Sequence, residues 1–195
     1  MKTFRQIINE NKSDDHEDMA FRKGTDNVPK AMNGVAFSSW KAPNDWSKVE
    51  GQNHEIKEPV LKVDPSKKLG SGLIIHEPNS KRIWISKVAN EFDGIKHTFP
   101  QGGVERGLHP QANAIKETHE ETGIKARITG FAGDAVGKFR HTRFYHAIRE
   151  GGHPLEHGWE SEGVNLVHPD NLHKYLNNYT HRRFMKDVLG YHVPD

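Results

Sequence analysis

An α/β/α sandwich, a mixed β-sheet with helices on both sides, is the fold class that three observations predict. Two apolar strand-like runs, Leu69 to His76 and Arg82 to Val88, flank the turn signal Glu77-Pro78-Asn79-Ser80. A helical stretch with clear start and stop signals, Pro110 to Thr122, interrupts the strand series. Two more helical stretches, Pro169 to Asn177 and Thr180 to Leu189, follow the last strand. Strands interleaved with helices in this order need helical cover on opposite sides of the sheet.

The chain divides into three zones. Residues 1–33 are polar and charged with weak periodicity, which predicts a flexible N-terminal arm. Residues 34–67 place Phe37, Trp40 and Trp46 among turn-forming residues, an extension expected to wrap the core, because isolated tryptophans need apolar surface to cover. The functional alternative is that Trp40 or Trp46 stacks on a base, and the same segment could cross a homodimer interface. Residues 68–195 form the compact part. Within it, His97 to Phe99 is a short strand, and Lys125 to Gly133 and Lys138 to Arg149 are two further strands around Asp134-Ala135-Val136-Gly137. Gly163 to Val167 is the last short strand, and Thr180 is the candidate N-cap of the final helix.

Composition narrows the class. A length of 195 residues supports one domain with a tail or one domain with extensions. The absence of cysteine rules out a disulfide scaffold, a thiolate metal site and a cysteine nucleophile. No apolar run approaches the ~20 residues that span a bilayer, and the polar start has no secretory core, so a cytoplasmic location is expected. With 28 basic and 26 acidic residues, the net charge of +2 imposes no global field that would favour nucleic acid. The 14 histidines are scattered and form no HExxH pair.

The chemistry concentrates in Gly102 to Ile124, GGVERGLHPQANAIKETHEETGI. Glu117, Glu120 and Glu121 stand at i, i+3 and i+4, so on a helix of about 100° per residue they share one stripe. Like charges at that spacing repel. A hard divalent cation between them would cancel the repulsion, and oxygen donors favour Mg²⁺, Ca²⁺ or Mn²⁺. The flanks support a bound ligand. Gly102, Gly103 and Gly107 allow close backbone approach, Pro110 suits the first helical turn, and Gly123 suits a left-handed C-cap before Ile124 re-enters the core.

This stretch resembles the Nudix box, G-x5-E-x7-R-E-U-x-E-E-x-G-U, with U a bulky apolar residue. Gly102, Glu117, Glu120, Glu121, Gly123 and Ile124 match; Leu108 stands for the first Glu, Lys116 for the Arg and Thr118 for the first U. The lead-in Thr98-Phe99-Pro100-Gln101-Gly102-Gly103 is similar to that of many members. The resemblance implies the same α/β/α sandwich on a mixed sheet, here with an N-terminal extension. It also implies Mg²⁺, or Mn²⁺, held by Glu117, Glu120 and Glu121 with the backbone carbonyl of Gln101. Leu108 removes one loop carboxylate but leaves the three helical ones, and Lys116 keeps a cation without the planar fork of Arg.

Two regions outside the box are candidates for the same site. Family members often recruit a further loop Glu as ligand or base; Glu160 is the candidate, with Glu162 in reserve. On the strand around Lys138 to His146, alternation places Arg140, Thr142 and Phe144 on one face and His141, Arg143 and Tyr145 on the other. Arg140, His141 and Arg143 are expected to bind outer phosphates, unless they only guard an edge strand.

The resemblance therefore implies a Mg²⁺-dependent hydrolase of a nucleoside diphosphate linked to another group, such as ADP-ribose, a nucleotide sugar or a dinucleoside polyphosphate. Glu117 or Glu160 would orient or deprotonate the attacking water. The partner would be a small nucleotide and not a membrane. Two alternatives stay open. One is a hydrolase of polyphosphorylated targets such as RNA 5′ ends or inositol pyrophosphates, because the FPQGG lead-in is similar to that of bacterial RNA pyrophosphohydrolases. The other is a non-catalytic nucleotide sensor, motivated by Leu108 and Lys116.

Overall fold

The computed structural model describes residues 18–92 and 94–194. Among these residues ten strands are formed: β1 (Met19–Phe21), β2 (Ala31–Met32), β3 (Val35–Ala36), β4 (Lys68–His76), β5 (Ile83–Phe92), β6 (Ile95–Thr98), β7 (Gln101–Gly103), β8 (Ile124–Val136), β9 (Arg140–Gly152) and β10 (Ser161–Val167). The helices are α1 (Pro110–Thr122), α2 (Leu172–Tyr175) and α3 (Tyr179–Asp187). The main sheet runs β1-β10-β5-β4-β9-β8, with β6 paired to β5 and β7 to β4. Only the β4–β9 ladder is parallel among these pairings, so the sheet is mixed.

Alternation on the central strands divides the core into two layers. Leu73 and Ile75 of β4, Trp84 of β5 and Tyr145 and Ala147 of β9 face α1, where they meet Ala112 and Ile115. Ile74, Ile83, Ile85 and Phe144 face the opposite side, where Leu172, Leu176, Phe184 and Met185 cover them. A period of two on a strand buried on both sides produces this split, and the outcome is the expected α/β/α sandwich.

The β4–β5 hairpin splays apart beyond its turn. The two strands pair only at Ile75↔Trp84 and His76↔Ile83. Further along, β6 fills the gap on the β5 side and β7 on the β4 side, with Ser86↔Thr98 and Gly72↔Gln101 in register. This wedge carries Gln101 and Gly102 to the side of α1. No strand was expected at Gln101–Gly103, since Pro100-Gln101-Gly102-Gly103 has neither apolar alternation nor β-branched residues.

The extension covers the outer side of α1. Glu58 takes hydrogen bonds from Gln111 Nε2 (2.7 Å) and Tyr145 Oη (2.9 Å). Trp40 and Trp46 pack against His119 at ring-centroid distances of 4.9 and 5.6 Å, which engages within the protein the two rings that were the alternative candidates for stacking on a base. Further out, the short β2–β3 hairpin sits over a buried ion pair. Arg149 Nε donates to Glu77 Oε2 at 2.7 Å, Arg149 Nη2 donates to the Met32 carbonyl at 2.9 Å, and Trp84 Nε1 donates to Glu77 Oε2 at 2.8 Å.

Several boundaries differ from expectation. The arm expected over residues 1–33 lies outside the described residues up to position 17. Met19–Phe21 instead form an edge strand on β10, anchored by the buried Phe21. The final helix is capped not by Thr180 but by Asn178, whose side chain accepts from the Thr180 and His181 N–H groups. The stretch Pro169 to Asn177 is a 3-10 turn followed by the single turn of α2, not one helix. Among the described residues no helix is long and apolar enough to cross a membrane.

Candidate active site

Helix α1 begins and ends as its sequence dictates. Pro110 occupies the first turn, His109 accepts from the Gln111 N–H, and Gly123 closes the helix at φ 67°. Small or short side chains, Ala112, Asn113, Ala114 and Thr118, are buried against the sheet, so the helix lies close to β4 and β7. Glu117 and Glu121 emerge beside the β7 backbone.

The contact with β7 is direct. The Glu117 carboxylate lies over Gly102, where any Cβ would collide with it. Glu121 Oε2 accepts from the Gln101 N–H at 3.2 Å. The bonds Leu73 N–H to Pro100 C=O and Val104 N–H to Leu69 C=O fix the ladder. Gln101 is therefore at a non-bonded position, with its N–H and C=O both turned away from β4. Its carbonyl faces the same side as the N–H that reaches Glu121. The Gln101 side chain is also held, donating to Thr98 Oγ1 at 2.7 Å and to His181 Nε2 at 2.8 Å.

Electrostatics mark the same place. Burial pushes the Glu117 carboxyl up to about 7, and neighbouring Glu120, Glu160 and Glu105 add to the rise against the opposing charge of Lys116. Burial also raises Glu121 well above the usual carboxylate range, with help from Glu117 and Glu160. Neither group has a salt-bridge partner among the described residues. Glu120 is engaged otherwise: Lys116 Nζ lies 2.7 Å from Glu120 Oε2 and 3.0 Å from Glu105 Oε1. Among the described residues no three acidic or histidine side chains already form a closed cation shell. The donor set nonetheless fits a hard divalent cation: all-oxygen, crowded, and short of positive charge at Glu117 and Glu121.

Glu105 is the residue that sequence reasoning missed. The box pattern places its loop carboxylate at position 108, which is Leu here. The structure finds the carboxylate three residues earlier, already bonded to Lys116. An acidic residue in the loop that replaces the missing one was visible in the sequence, but only the loop's path shows that it reaches Lys116.

Glu160 joins the carboxylates and Glu162 does not. Glu160 and Glu121 line one cleft of about 460 Å³ with Val88, Ala89, Asn90 and Trp159. The neighbouring Glu162 is salt-bridged to Lys87 at 2.6 Å, which lowers its carboxyl. The basic strand is split by its alternation. His141 and Arg143 are buried on the α1 side of the sheet. Arg143 makes a two-pronged pair with Asp134 at 2.9 and 3.0 Å and reaches Glu58 at 3.3 Å, while His141 Nε2 lies 3.3 Å from the same Asp134. The charge of Arg143 is committed within the protein and His141 is turned to the same carboxylate, contrary to the expectation that they hold phosphate. Arg140 remains exposed, its aliphatic stem beside Gly70.

A NUDIX domain model matches residues 67–188. A NUDIX hydrolase from Nitrosomonas europaea superposes with a TM-score of 0.53 at 14% identity, covering 66% of this chain and 93% of that one. An ADP-ribose pyrophosphatase from Streptococcus suis gives a TM-score of 0.45 at 16% identity, over 53% of this chain and 75% of that one. An Ap4A hydrolase from C. elegans gives 0.47 at 18% identity, over 61% and 93%. No curated protein matches the chain by sequence. At these identities the first likeness speaks to fold alone, and the two with lower scores carry no argument about substrate. The matched model spans more than half of the chain and contains the helix, the β7 strand and the carboxylates described above, so this chain belongs to the Nudix family of pyrophosphohydrolases.

Proposed function

We propose that the chain hydrolyses the pyrophosphate bond of a nucleoside diphosphate linked to a second group, such as ADP-ribose, a nucleotide sugar or a dinucleoside polyphosphate, with Mg²⁺ or Mn²⁺ as cofactor. The observation that carries this reading is that Glu121 and Glu160 line one cleft, with Glu117 packed on Gly102 and Glu121 bonded to the Gln101 N–H beside it. Glu117, Glu120, Glu121 and the Gln101 carbonyl would hold the cation. When bound, it supplies charge neutralisation at the anhydride oxygens.

The remaining steps fall to the chain's own groups. Glu160, on the loop across from α1, orients a water and accepts its proton as the water oxygen attacks one phosphorus. The bridging P–O bond breaks, and the departing phosphate carries away the electron pair. Glu117 is the alternative acceptor, since its raised proton affinity suits a base near neutral pH. Arg140, exposed at the start of β9 beside Gly70, is the remaining candidate for the outer phosphate oxygens. The products are two phosphate-terminated fragments, and no covalent intermediate forms.

The commitment of Arg143 and His141 to Asp134 favours small substrates over polyphosphorylated ones. One exposed arginine is a thin basic lining for an RNA 5′ end or an inositol pyrophosphate. The test is a panel of nucleotides, capped or triphosphorylated RNA and inositol pyrophosphates with Mg²⁺ or Mn²⁺, read as released phosphate or monophosphate. Turnover of a nucleoside diphosphate derivative, abolished in the Glu120→Gln, Glu121→Gln double variant with its fold intact, is the expected result. Saturable nucleotide binding with no product under either metal would establish the sensor alternative instead.

A further inference from the structure

The four tryptophans of the chain do not share one environment. Trp84 is fully buried, and Trp40 and Trp46 meet edge to face at 6.1 Å against His119. Trp159 is 81% exposed, and among the described residues its ring has no aromatic, cationic or hydrogen-bonding partner. Leaving the largest apolar side chain in water forgoes most of its burial free energy, so its position calls for a reason.

That position is fixed from both sides. The preceding residue, Gly158, donates its N–H to the Glu120 carbonyl at 2.6 Å, near the end of α1. A Cβ at 158 would press on that same carbonyl, so glycine lets the loop approach the helix. The following residue, Glu160, accepts the Ala89 N–H on its backbone carbonyl at 2.9 Å. A tryptophan between two such anchors keeps its backbone still and needs only two side-chain torsions to be ordered, a preorganised arrangement.

Trp159 is among the residues that line the cleft of about 460 Å³ that also holds Glu121 and Glu160. This volume lies within the ~300–1,000 Å³ usual for small-molecule sites. Val88 and Ala89 give the cleft apolar lining, and Asn90, held at φ 57° on a bulged part of β5, adds an amide. Negative groups that would gather cations around an anhydride and a bare flat indole thus share one concavity.

We infer that Trp159 is the stacking platform for the planar heterocycle, the nucleobase, of the substrate whose anhydride lies at Glu121 and Glu160. This inference rests on the pyrophosphate chemistry proposed above and adds to it the place where the base is held. Trp159 touches substrate in binding, and it takes no part in proton or phosphoryl transfer.

The test is calorimetry on the full chain with Mg²⁺ and two probes, ADP and inorganic pyrophosphate, for the wild type, Trp159→Ala and Trp159→Phe. Removing a stacking ring weakens binding of a base roughly tenfold, so Trp159→Ala is expected to lose about that factor for ADP and nothing for pyrophosphate. Trp159→Phe keeps most of the ADP affinity. Equal ADP affinity in wild type and Trp159→Ala overturns the platform while leaving the pyrophosphate site standing. Parallel losses for both probes overturn it too, since the residue would then be shaping the loop rather than meeting the base. A wild type that binds neither probe overturns the pyrophosphate reading and this inference with it.

Discussion

The carboxylate of Glu117 occupies the space that a Cβ on residue 102 would fill. The glycine that opens the Nudix box is required here for room and not for an unusual backbone angle, because Gly102 has no left-handed φ. Gly102→Ala is expected to destabilise the protein by about 1–3 kcal/mol, the usual cost of overpacking. It should also turn Glu117 out of the site. Chemical denaturation combined with Mg²⁺ titration checks both, and a variant with unchanged cation affinity would mean that Glu117 is not a ligand.

Crowded carboxylates make the metal-free protein sensitive to pH. The Glu117 carboxyl is raised to about 7 from an ordinary 4.5, chiefly by burial. The folded state therefore holds this proton more tightly than the unfolded chain. The stabilisation is complete below pH ~4.5 and is lost as pH rises through about 7. With a chelator present, the melting temperature should fall between pH 5 and pH 8, each ~1 kcal/mol corresponding to about 2–4 °C in a chain of this size. Glu117→Gln should flatten that slope, and excess Mg²⁺ should remove it in the wild type. A melting point that stays constant across this range without metal would contradict the crowding.

His181 acts in the opposite direction. Burial pushes its imidazole down to about 4, so it is neutral and can accept from the Gln101 amide. The stability that follows is present above its ordinary 6.5 and is lost as pH falls through about 4. His181→Phe is expected to blunt the acid limb of the unfolding curve between pH 6 and pH 4. The same variant frees the Gln101 side chain, so Mg²⁺ affinity should weaken as well, by isothermal titration.

Lys116 ties Glu105 to Glu120. Supporting contacts of this kind are worth about 10–100-fold in metal affinity or activity. Glu105→Ala and Lys116→Met are each expected to fall in that range, measured as kcat/KM at saturating and limiting Mg²⁺. Lys116→Arg should preserve function, and restoring the pattern with Leu108→Glu should rescue Glu105→Ala. Wild-type kinetics in Glu105→Ala would show that the loop carboxylate is dispensable here.

The buried Arg149–Glu77 pair holds the N-terminal hairpin to the sheet. Both side chains are wholly inaccessible, so removing one partner leaves an unpaired buried charge, which costs about 3–5 kcal/mol. Arg149→Met should destabilise the whole domain by that order in urea. It should also release residues 31–36 first, seen as faster amide exchange there than in β4. Uniform exchange across both segments would mean that the hairpin is held by something else.

Much of the site was readable along the chain because its signals are local. Proline at the start, glycine at the end and carboxylates at i, i+3 and i+4 specify α1 and its acidic stripe within 14 residues, Pro110 to Gly123. Alternation on Leu73 to Ile75 and on Arg140 to Tyr145 likewise assigns faces without any knowledge of partners. The missed elements lack such local marks. The β7 strand is a proline-glycine segment recruited by a splayed hairpin, and Met19–Phe21 is a three-residue edge strand in a polar stretch.

By itself the sequence determined the layered architecture, the acidic stripe and the glycine turn beside it, since each depends on backbone geometry among near neighbours. The tertiary structure decided which charges are available. Arg143 is drawn away by Asp134 and by Glu58, 85 residues distant, and Glu105 takes over beside Lys116. Glu160 reaches the carboxylates and Glu162 turns to Lys87. Coulombic pairing and burial act through space between residues far apart in the chain, and no pattern of adjacent letters records those distances.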